Sequence, residues 1–159
     1  KEIQPSQQEE PLNTVSLDLK HRFQVGPFYW HNKLLLQSFS DPDIVRLPNW
    51  LYRSSLYYKQ QLFDDNLLLS AGLDFRYTES YEGKAHFPAY NLRYLQDQQN
   101  IAGYPVFDAH LNFRIGRFRG FLKMLHINKG IAGNDYFTLP SHPLHPRMFT
   151  IGINWMFFN

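Results

Sequence analysis

The chain has 159 residues, with 17% aromatic and 19% charged side chains, no cysteine and a formal net charge of +2. The lack of cysteine excludes a disulfide framework and a thiolate metal site. No run of about 18 apolar residues occurs, which excludes a transmembrane helix. A β-barrel remains compatible with the composition, because a barrel strand shows lipid only its alternate residues.

Residues 1–13 are polar and follow no periodic pattern. They contain two prolines and several Gln and Glu side chains, which argues against a strand. The sequence starts with neither an initiator Met nor a signal peptide. We therefore expect residues 1–13 to be an external loop or linker, in a chain that begins at a processing site or within a longer protein.

The first two strands are predicted on either side of the tight-turn sequence Gly26-Pro27. Apolar and polar residues alternate from Val15 to Val25, which is the pattern of a strand with two unlike faces. Alternation resumes at Phe28, and residues 40–48, with two prolines, are predicted to form a loop. The charged side of the first strand carries Asp18, Lys20 and Arg22.

Two more alternating strands are predicted at Trp50–Leu62 and from Leu67 to about Tyr77, joined by a turn at residues 63–66. Their polar sides carry Arg53, Lys59, Asp74 and Arg76. The connection at 78–103 is too long for a hairpin turn, so we expect a folded external loop.

A fifth strand is predicted at Tyr104–Ile115, followed by a short basic turn at residues 116–120 and a sixth strand at Phe121–Asn128. The polar side of the fifth strand carries Asp108, His110 and Arg114. On the sixth strand we expect Leu122, Met124 and His126 outward and Lys123 inward. Residues 130–146, with three prolines, form a second long external loop.

The terminal stretch, Arg147–Asn159, also alternates with period two and therefore predicts a strand. One face is wholly apolar and ends in large aromatics, as the wall of a membrane barrel requires. A polar residue, a glycine and two aromatics are spaced like the C-terminal assembly signal of bacterial outer-membrane barrels. These residues are Thr150, Gly152, Trp155 and Phe157.

The connections alternate in length, with short ones at Gly26, Asp64 and Arg117 and longer ones after Ser40 and Thr78 and at residues 130–146. In an antiparallel meander this places tight turns at one rim and long loops at the other, which is the asymmetry of outer-membrane barrels. Aromatic residues cluster at both rims, which predicts an aromatic girdle at each interface. The short-turn rim has Val25, Phe28, Trp30, Phe63, Phe118, Phe121, Trp155 and Phe157, and the long-loop rim has Trp50, Tyr52, Tyr77, Tyr104 and Phe107.

These patterns predict an all-β fold, in which residues 14–159 form an antiparallel transmembrane β-barrel segment of about seven strands. Bacterial single-chain barrels have an even number of strands. We therefore expect the C-terminal part of a larger barrel, or a barrel that a partner completes. The residues predicted to face lipid are Val15, Leu17, Leu69, Leu73, Leu111, Phe113, Ile151 and Ile153. A soluble lipocalin-like barrel has the same periodicity with inverted faces, but it does not readily explain the aromatic belts together with the terminal signal.

The second half of the chain also carries a set of short motifs that can be compared with known families. They are Tyr104-Pro105, Asp108, Arg117 to Arg119, Phe121-Leu122-Lys123, Tyr136-Phe137, Pro143, Pro146 and Arg147. In this order they resemble the C-terminal end of the putative porin family of Bacteroidota outer membranes. The match departs at Leu125, where the family pattern has an acidic residue. The resemblance implies a β-barrel pore but does not indicate which substrate passes through it.

The function we expect is a porin-like pore for passive diffusion of small solutes. Its lining would be Asp18, Lys20, Arg22, Arg53, Lys59, Asp74, Arg76, Asp108, His110 and Arg114, in which Arg outnumbers Asp and favours anions mildly. The alternative is a non-conducting barrel whose paired charges fill the lumen and which anchors a larger outer-membrane complex.

Short turns and the C-terminus would be periplasmic, and long loops extracellular. The expected partners are outer-membrane lipid and lipopolysaccharide, the barrel assembly machinery and other outer-membrane proteins, with no nucleic acid. A metal site at His126, Asp135, His142 and His145 is weighed against a rigid proline-bearing loop, which we favour. No serine and acid accompany His21 or His126 as a hydrolase would require, so we expect no enzyme, cofactor or metal.

Overall fold

The computed structural model describes residues 10–131 and 136–157. Within these residues the elements are β1 (Thr14–Val25), β2 (Phe28–Phe39), β3 (Trp50–Leu62), β4 (Leu67–Thr78), β5 (Ala85–Phe87), a 3-10 turn (Pro88–Tyr90), β6 (Leu92–Tyr94), β7 (Val106–Ile115), β8 (Phe118–Leu125), β9 (Phe137–Leu139), β10 (His142–Pro143) and β11 (Met148–Trp155). The described residues contain no helix long and apolar enough to cross a membrane.

The long strands form one antiparallel sheet of seven strands in the order β1-β2-β3-β4-β7-β8-β11, within the described residues. Each strand therefore pairs with the next long strand along the chain, as predicted for a meander. The two long connections carry small hairpins of their own, β5 with β6 and β9 with β10. The all-β antiparallel prediction is confirmed, and β1 and β11 are the two edges of a sheet that is open between them.

Two of the tight turns consist of two residues each and begin with a glycine at positive φ, +54° at Gly26 and +56° at Gly116. A glycine at positive φ in the first central position is what a type II′ hairpin turn requires. The predicted five-residue turn at 116–120 is therefore wrong. Two residues suffice, so Phe118 already pairs with Ile115 and opens β8.

Three predicted strand ends also shift. β7 begins at Val106 and not at Tyr104, because Pro105 has no N–H to offer the ladder. β8 ends at Leu125 and not at Asn128, since His126 takes a φ of +54° and leaves the strand. The terminal strand ends at Trp155, and the last two predicted positions, 158–159, lie outside the described residues.

The buried apolar side chains collect at the long-loop end of the sheet and not along its faces. Among the described residues they are Phe39, Ala85, Ile101, Val106 and Tyr136. The loops that cover them are tied together: Arg46 of the first loop pairs with Glu82 and Asp97 of the second. The second and third loops are joined where the backbone N–H of Ala102 donates to the carbonyl of Phe137 at 3.0 Å. The connection between β4 and β7, residues 79–105, is thus folded, and its external position stays a prediction.

Candidate functional site on the polar face of the sheet

The register of the sheet gives it one apolar and one polar face. Every residue predicted to face lipid lies on the apolar face. At the two edges of the sheet this face is highly exposed, 73% at Val15 and 72% at Ile153. Aromatic pairs lie toward its two ends, for example Trp50 with Tyr77, whose ring centroids are 4.8 Å apart. A contiguous exposed apolar face of this kind marks a surface that contacts a membrane or another protein.

One row of polar residues interrupts the apolar face. His21, Asn32 and Ser54 are cross-strand neighbours on β1, β2 and β3. The hydroxyl of Tyr52 donates to the Asn32 side-chain oxygen at 2.6 Å, and the indole N–H of Trp30 donates to the Ser54 hydroxyl at 2.8 Å. The amide and hydroxyl oxygens are therefore hydrogen-bonded within the face, which lowers the cost of exposing them to an apolar medium.

The polar face collects all ten residues predicted as pore lining. By register these are Asp18, Lys20, Arg22, Arg53, Lys59, Asp74, Arg76, Asp108, His110 and Arg114. Lys33 and Lys123 lie on the same face, opposite Lys20 and His110 respectively, and are not among the ten predicted residues. The alternation of β2 and β8 is the signal for both in the sequence, and Lys123 lies on the polar face, the side predicted to be inward.

Four cations form one continuous row across four neighbouring strands. Lys20 pairs with Lys33, Lys33 with Arg53, and Arg53 with Arg76. Directly opposite side chains in an antiparallel pair are about 5 Å apart at Cβ, and like charges there are destabilising. We call this set, Lys20, Lys33, Arg53 and Arg76, the cationic row.

Carboxylates partly neutralise the positive charge at the two ends of the cationic row. Asp18 lies 3.3 Å from the ammonium nitrogen of Lys20 and 3.3 Å from that of Lys33. At the other end an oxygen of Asp108 lies 3.4 Å from Arg76. No carboxylate in residues 10–131 or 136–157 lies within 4.0 Å of Arg53, so positive charge is concentrated at the centre of the row.

The neighbouring row is of mixed character. Asp74 accepts a hydrogen bond from the Ser55 hydroxyl at 2.6 Å and lies 3.2 Å from the Nδ1 atom of His110. Both oxygens of Asp74 are therefore occupied by neighbours on the polar face. By register Asp108 lies opposite Asp74, so this row places two carboxylates beside the β4 end of the cationic row.

The long-loop end of the polar face is covered. Asp108 is only 6% exposed, and its carboxylate accepts the backbone N–H of His126 at 2.7 Å. His126 itself is 0% exposed, and the T-shaped contacts of its ring with Tyr104 and Tyr136 hold it beneath the loops. The prediction that His126 faces outward is therefore wrong. Its positive φ and the Asp108 hydrogen bond turn it away from the strand.

A cavity of about 340 Å³ adjoins this covered end, lined by Arg76, Tyr104, Tyr136 and His145 among others. Burial raises the pKa of the Tyr104 hydroxyl, and the neighbouring Tyr136 raises it further. Among the described residues no three His, Asp or Glu side chains come together as metal ligands. Asp135, one of the residues weighed for a metal site, lies outside the described part of the chain.

The four residues predicted as an assembly signal occupy different environments at the terminal edge. Thr150 and Gly152 lie on the polar face of β11, where a Cβ at Gly152 would come within 2.3 Å of the Phe121 ring. Phe121 therefore packs on the polar face and does not join the rim aromatics as expected. Trp155 ends the strand on the apolar face, and Phe157 stacks on it with ring centroids 5.3 Å apart.

Comparison with known proteins identifies the family. Neither a curated protein nor a solved structure matches the chain significantly. A family model described as Putative porin matches residues 1–159, the full length of the sequence. Porins act in the outer membrane, which agrees with a sheet that is apolar on one face and charged on the other. The chain therefore belongs to the Putative porin family.

Proposed function

We propose that the chain is the C-terminal wall of an outer-membrane β-barrel through which small solutes diffuse passively. The observation that carries this proposal is the division of the sheet into an apolar face and a face that holds the predicted charged lining in register. A barrel wall needs one face for hydrocarbon and one for water. Charged side chains tolerate the second face because they stay hydrated there.

Closure of the barrel follows from the cost of unpaired backbone groups. β1 and β11 each have one unpaired ladder edge within the described sheet. In hydrocarbon each unpaired N–H or C=O costs several kcal/mol, so a membrane sheet must be closed. We propose that further strands complete the barrel, either from the same protein or from a partner.

The short turns and the C-terminus would face the periplasm, and the long loops the exterior. In that orientation the apolar face contacts outer-membrane lipid and the loops contact lipopolysaccharide. Trp155 and Phe157, together with Thr150 and Gly152, would be read by the barrel assembly machinery. The exposure of Trp155 and Phe157, 59% and 70%, leaves both rings accessible to such a partner.

Conductance in planar bilayers tests the proposal directly. The full-length protein, purified from outer membranes and reconstituted, should give single-channel currents in potassium chloride. The reversal potential in a salt gradient should indicate mild anion preference, because the cationic row dominates the lining. Lys33→Gln together with Arg53→Gln should shift the reversal potential toward cation preference. A folded protein that gives no channels would refute the pore.

A second candidate function is a non-conducting barrel that anchors a larger outer-membrane assembly. The covered long-loop end favours it, since Val106 and Asp108 of the polar face are 7% and 6% exposed beneath the loops. If these loops close the lumen, the folded protein should be silent in bilayers and should co-purify with another outer-membrane protein. Deleting residues 85–94, which form the small hairpin of the second loop, should then open a measurable conductance.

A further inference from the structure

The polar face has a trough of about 520 Å³ over the cationic row. This trough is the feature best suited to bind a specific solute. Its volume lies in the range of sites that hold small-molecule ligands. Two carboxylates, Asp74 and Asp108, line the trough. The six cationic side chains that line it are Lys20, Arg22, Lys33, Arg53, Arg76 and Lys123.

The carboxylates leave the centre of the trough positive. Asp18 pairs with Lys20 and Lys33 at the β1–β2 end of the cationic row, and Arg76 at the β4 end is the only member of the row that Asp108 contacts. Arg53 lies between them without a carboxylate within 4.0 Å in the described residues. Asp74 contacts Ser55 and His110, and it forms no ion pair within 4.0 Å with a member of the cationic row. Three like-charge pairings without full compensation are destabilising, and an anion bound at the site would relieve that repulsion.

We propose that this trough binds the phosphate group of a small solute, with Arg53 at its centre and Lys33 and Arg76 on either side. The proposal rests on the diffusion pore proposed above and names the class of solute it selects. An arginine fork matches two phosphate oxygens, while a lysine contributes a point charge. A dianion with three terminal oxygens can contact all three cations, whereas one carboxylate has too few oxygens and too little charge. The trough is larger than phosphate alone and leaves room for the remainder of the solute.

Isothermal titration calorimetry of the full-length protein, folded in detergent, with inorganic phosphate tests the site without relying on conductance. Arg53→Gln should raise the Kd for phosphate by about tenfold or more, since it removes charge-assisted hydrogen bonds. Asp18→Asn should lower the Kd, because it removes the carboxylate that competes for Lys20 and Lys33. Arg119→Gln is the matched control: Arg119 lies on the polar face but does not line the trough, so its Kd should be unchanged.

The outcomes separate the site from the pore. Phosphate binding that weakens in Arg53→Gln and tightens in Asp18→Asn supports the site even if the protein conducts no current. Channels in a protein that shows no phosphate binding, or equal Kd values for Arg53→Gln and Arg119→Gln, would overturn the site and leave the pore standing. Succinate that binds as tightly as phosphate would overturn the assignment to phosphate. A heat-modifiability gel establishes that each variant is folded, and Asp18→Asn tests the site even if Arg53→Gln fails to fold.

Discussion

Replacing Ile151 by arginine tests which face of the sheet meets hydrocarbon. Ile151 is the fourth of the eight residues of β11, its side chain is 67% exposed, and it pairs with Leu122 on the apolar face. At about 3.3 Å per residue it lies about 10 Å from Met148 and about 13 Å from Trp155 along the strand. It is therefore far from both rims. An arginine near the midplane of a lipid-facing surface costs roughly 2 to 4 kcal/mol, and about 0 to 1 kcal/mol near an interface.

We expect Ile151→Arg to lower the free energy of unfolding in phospholipid vesicles by roughly 2 to 4 kcal/mol. Urea titration followed by a heat-modifiability gel measures this change. Thr150→Arg is the matched control, because it places the same side chain on the polar face of the same strand, opposite Lys123. There the like charge should cost only about 0.2 to 1 kcal/mol. Equal losses for the two variants would refute the assignment of the apolar face to lipid.

Three further sets of substitutions test the terminal edge and the covered loop end. Gly152→Val should lower stability by about 1 to 3 kcal/mol in urea titration, because its Cβ would lie 2.3 Å from the Phe121 ring. Phe121→Ala should restore most of that loss, and a failure to rescue would contradict the steric reason. Changing Trp155 and Phe157 together to Ala should leave little folded protein in the outer membrane by fractionation, whereas normal amounts would rule out their role in assembly. Asp108→Ala should cost about 1 to 3 kcal/mol in the same titration, because it leaves a buried backbone N–H without its acceptor. Asp108→Asn keeps an acceptor oxygen and should be milder, and equal losses for the two would be evidence against that account.

The faces of the long strands could be predicted from the sequence because side-chain alternation is a local property. In β4, for example, Leu69 and Leu73 lie on one face and Asp74 and Arg76 on the other, as the order of residues indicates. A slip of one residue would exchange the two faces entirely, so the pattern specifies the face strongly. Membership of a porin family agrees with the resemblance carried by the motifs of the second half.

The C-terminal end of β8 could not be predicted, because tertiary contacts determine where the strand stops. The alternating pattern of the sequence continues past Leu125. In the structure, however, the backbone N–H of His126 donates to Asp108, and the Nδ1 atom of His126 lies 3.0 Å from the carbonyl oxygen of His145. Asp108 and His145 are distant in sequence, and their positions follow from folding of the loops. The buried site beneath the loops therefore has no local signal.

The cationic row likewise belongs to four strands together and not to any one of them. The two-residue turn between β1 and β2 is enough to place Lys20 opposite Lys33, but the loop at 40–49 leaves the pairing of Lys33 with Arg53 open, and only the structure supplies it. Considered strand by strand, the lining has both signs and resembles a lumen of paired charges. In register, Arg53 and Arg76 extend the row of like charges. The ion pairs at the two ends of the row leave Arg53 without a carboxylate within 4.0 Å in the described residues, which favours a lining that attracts anions over a fully salt-bridged plug.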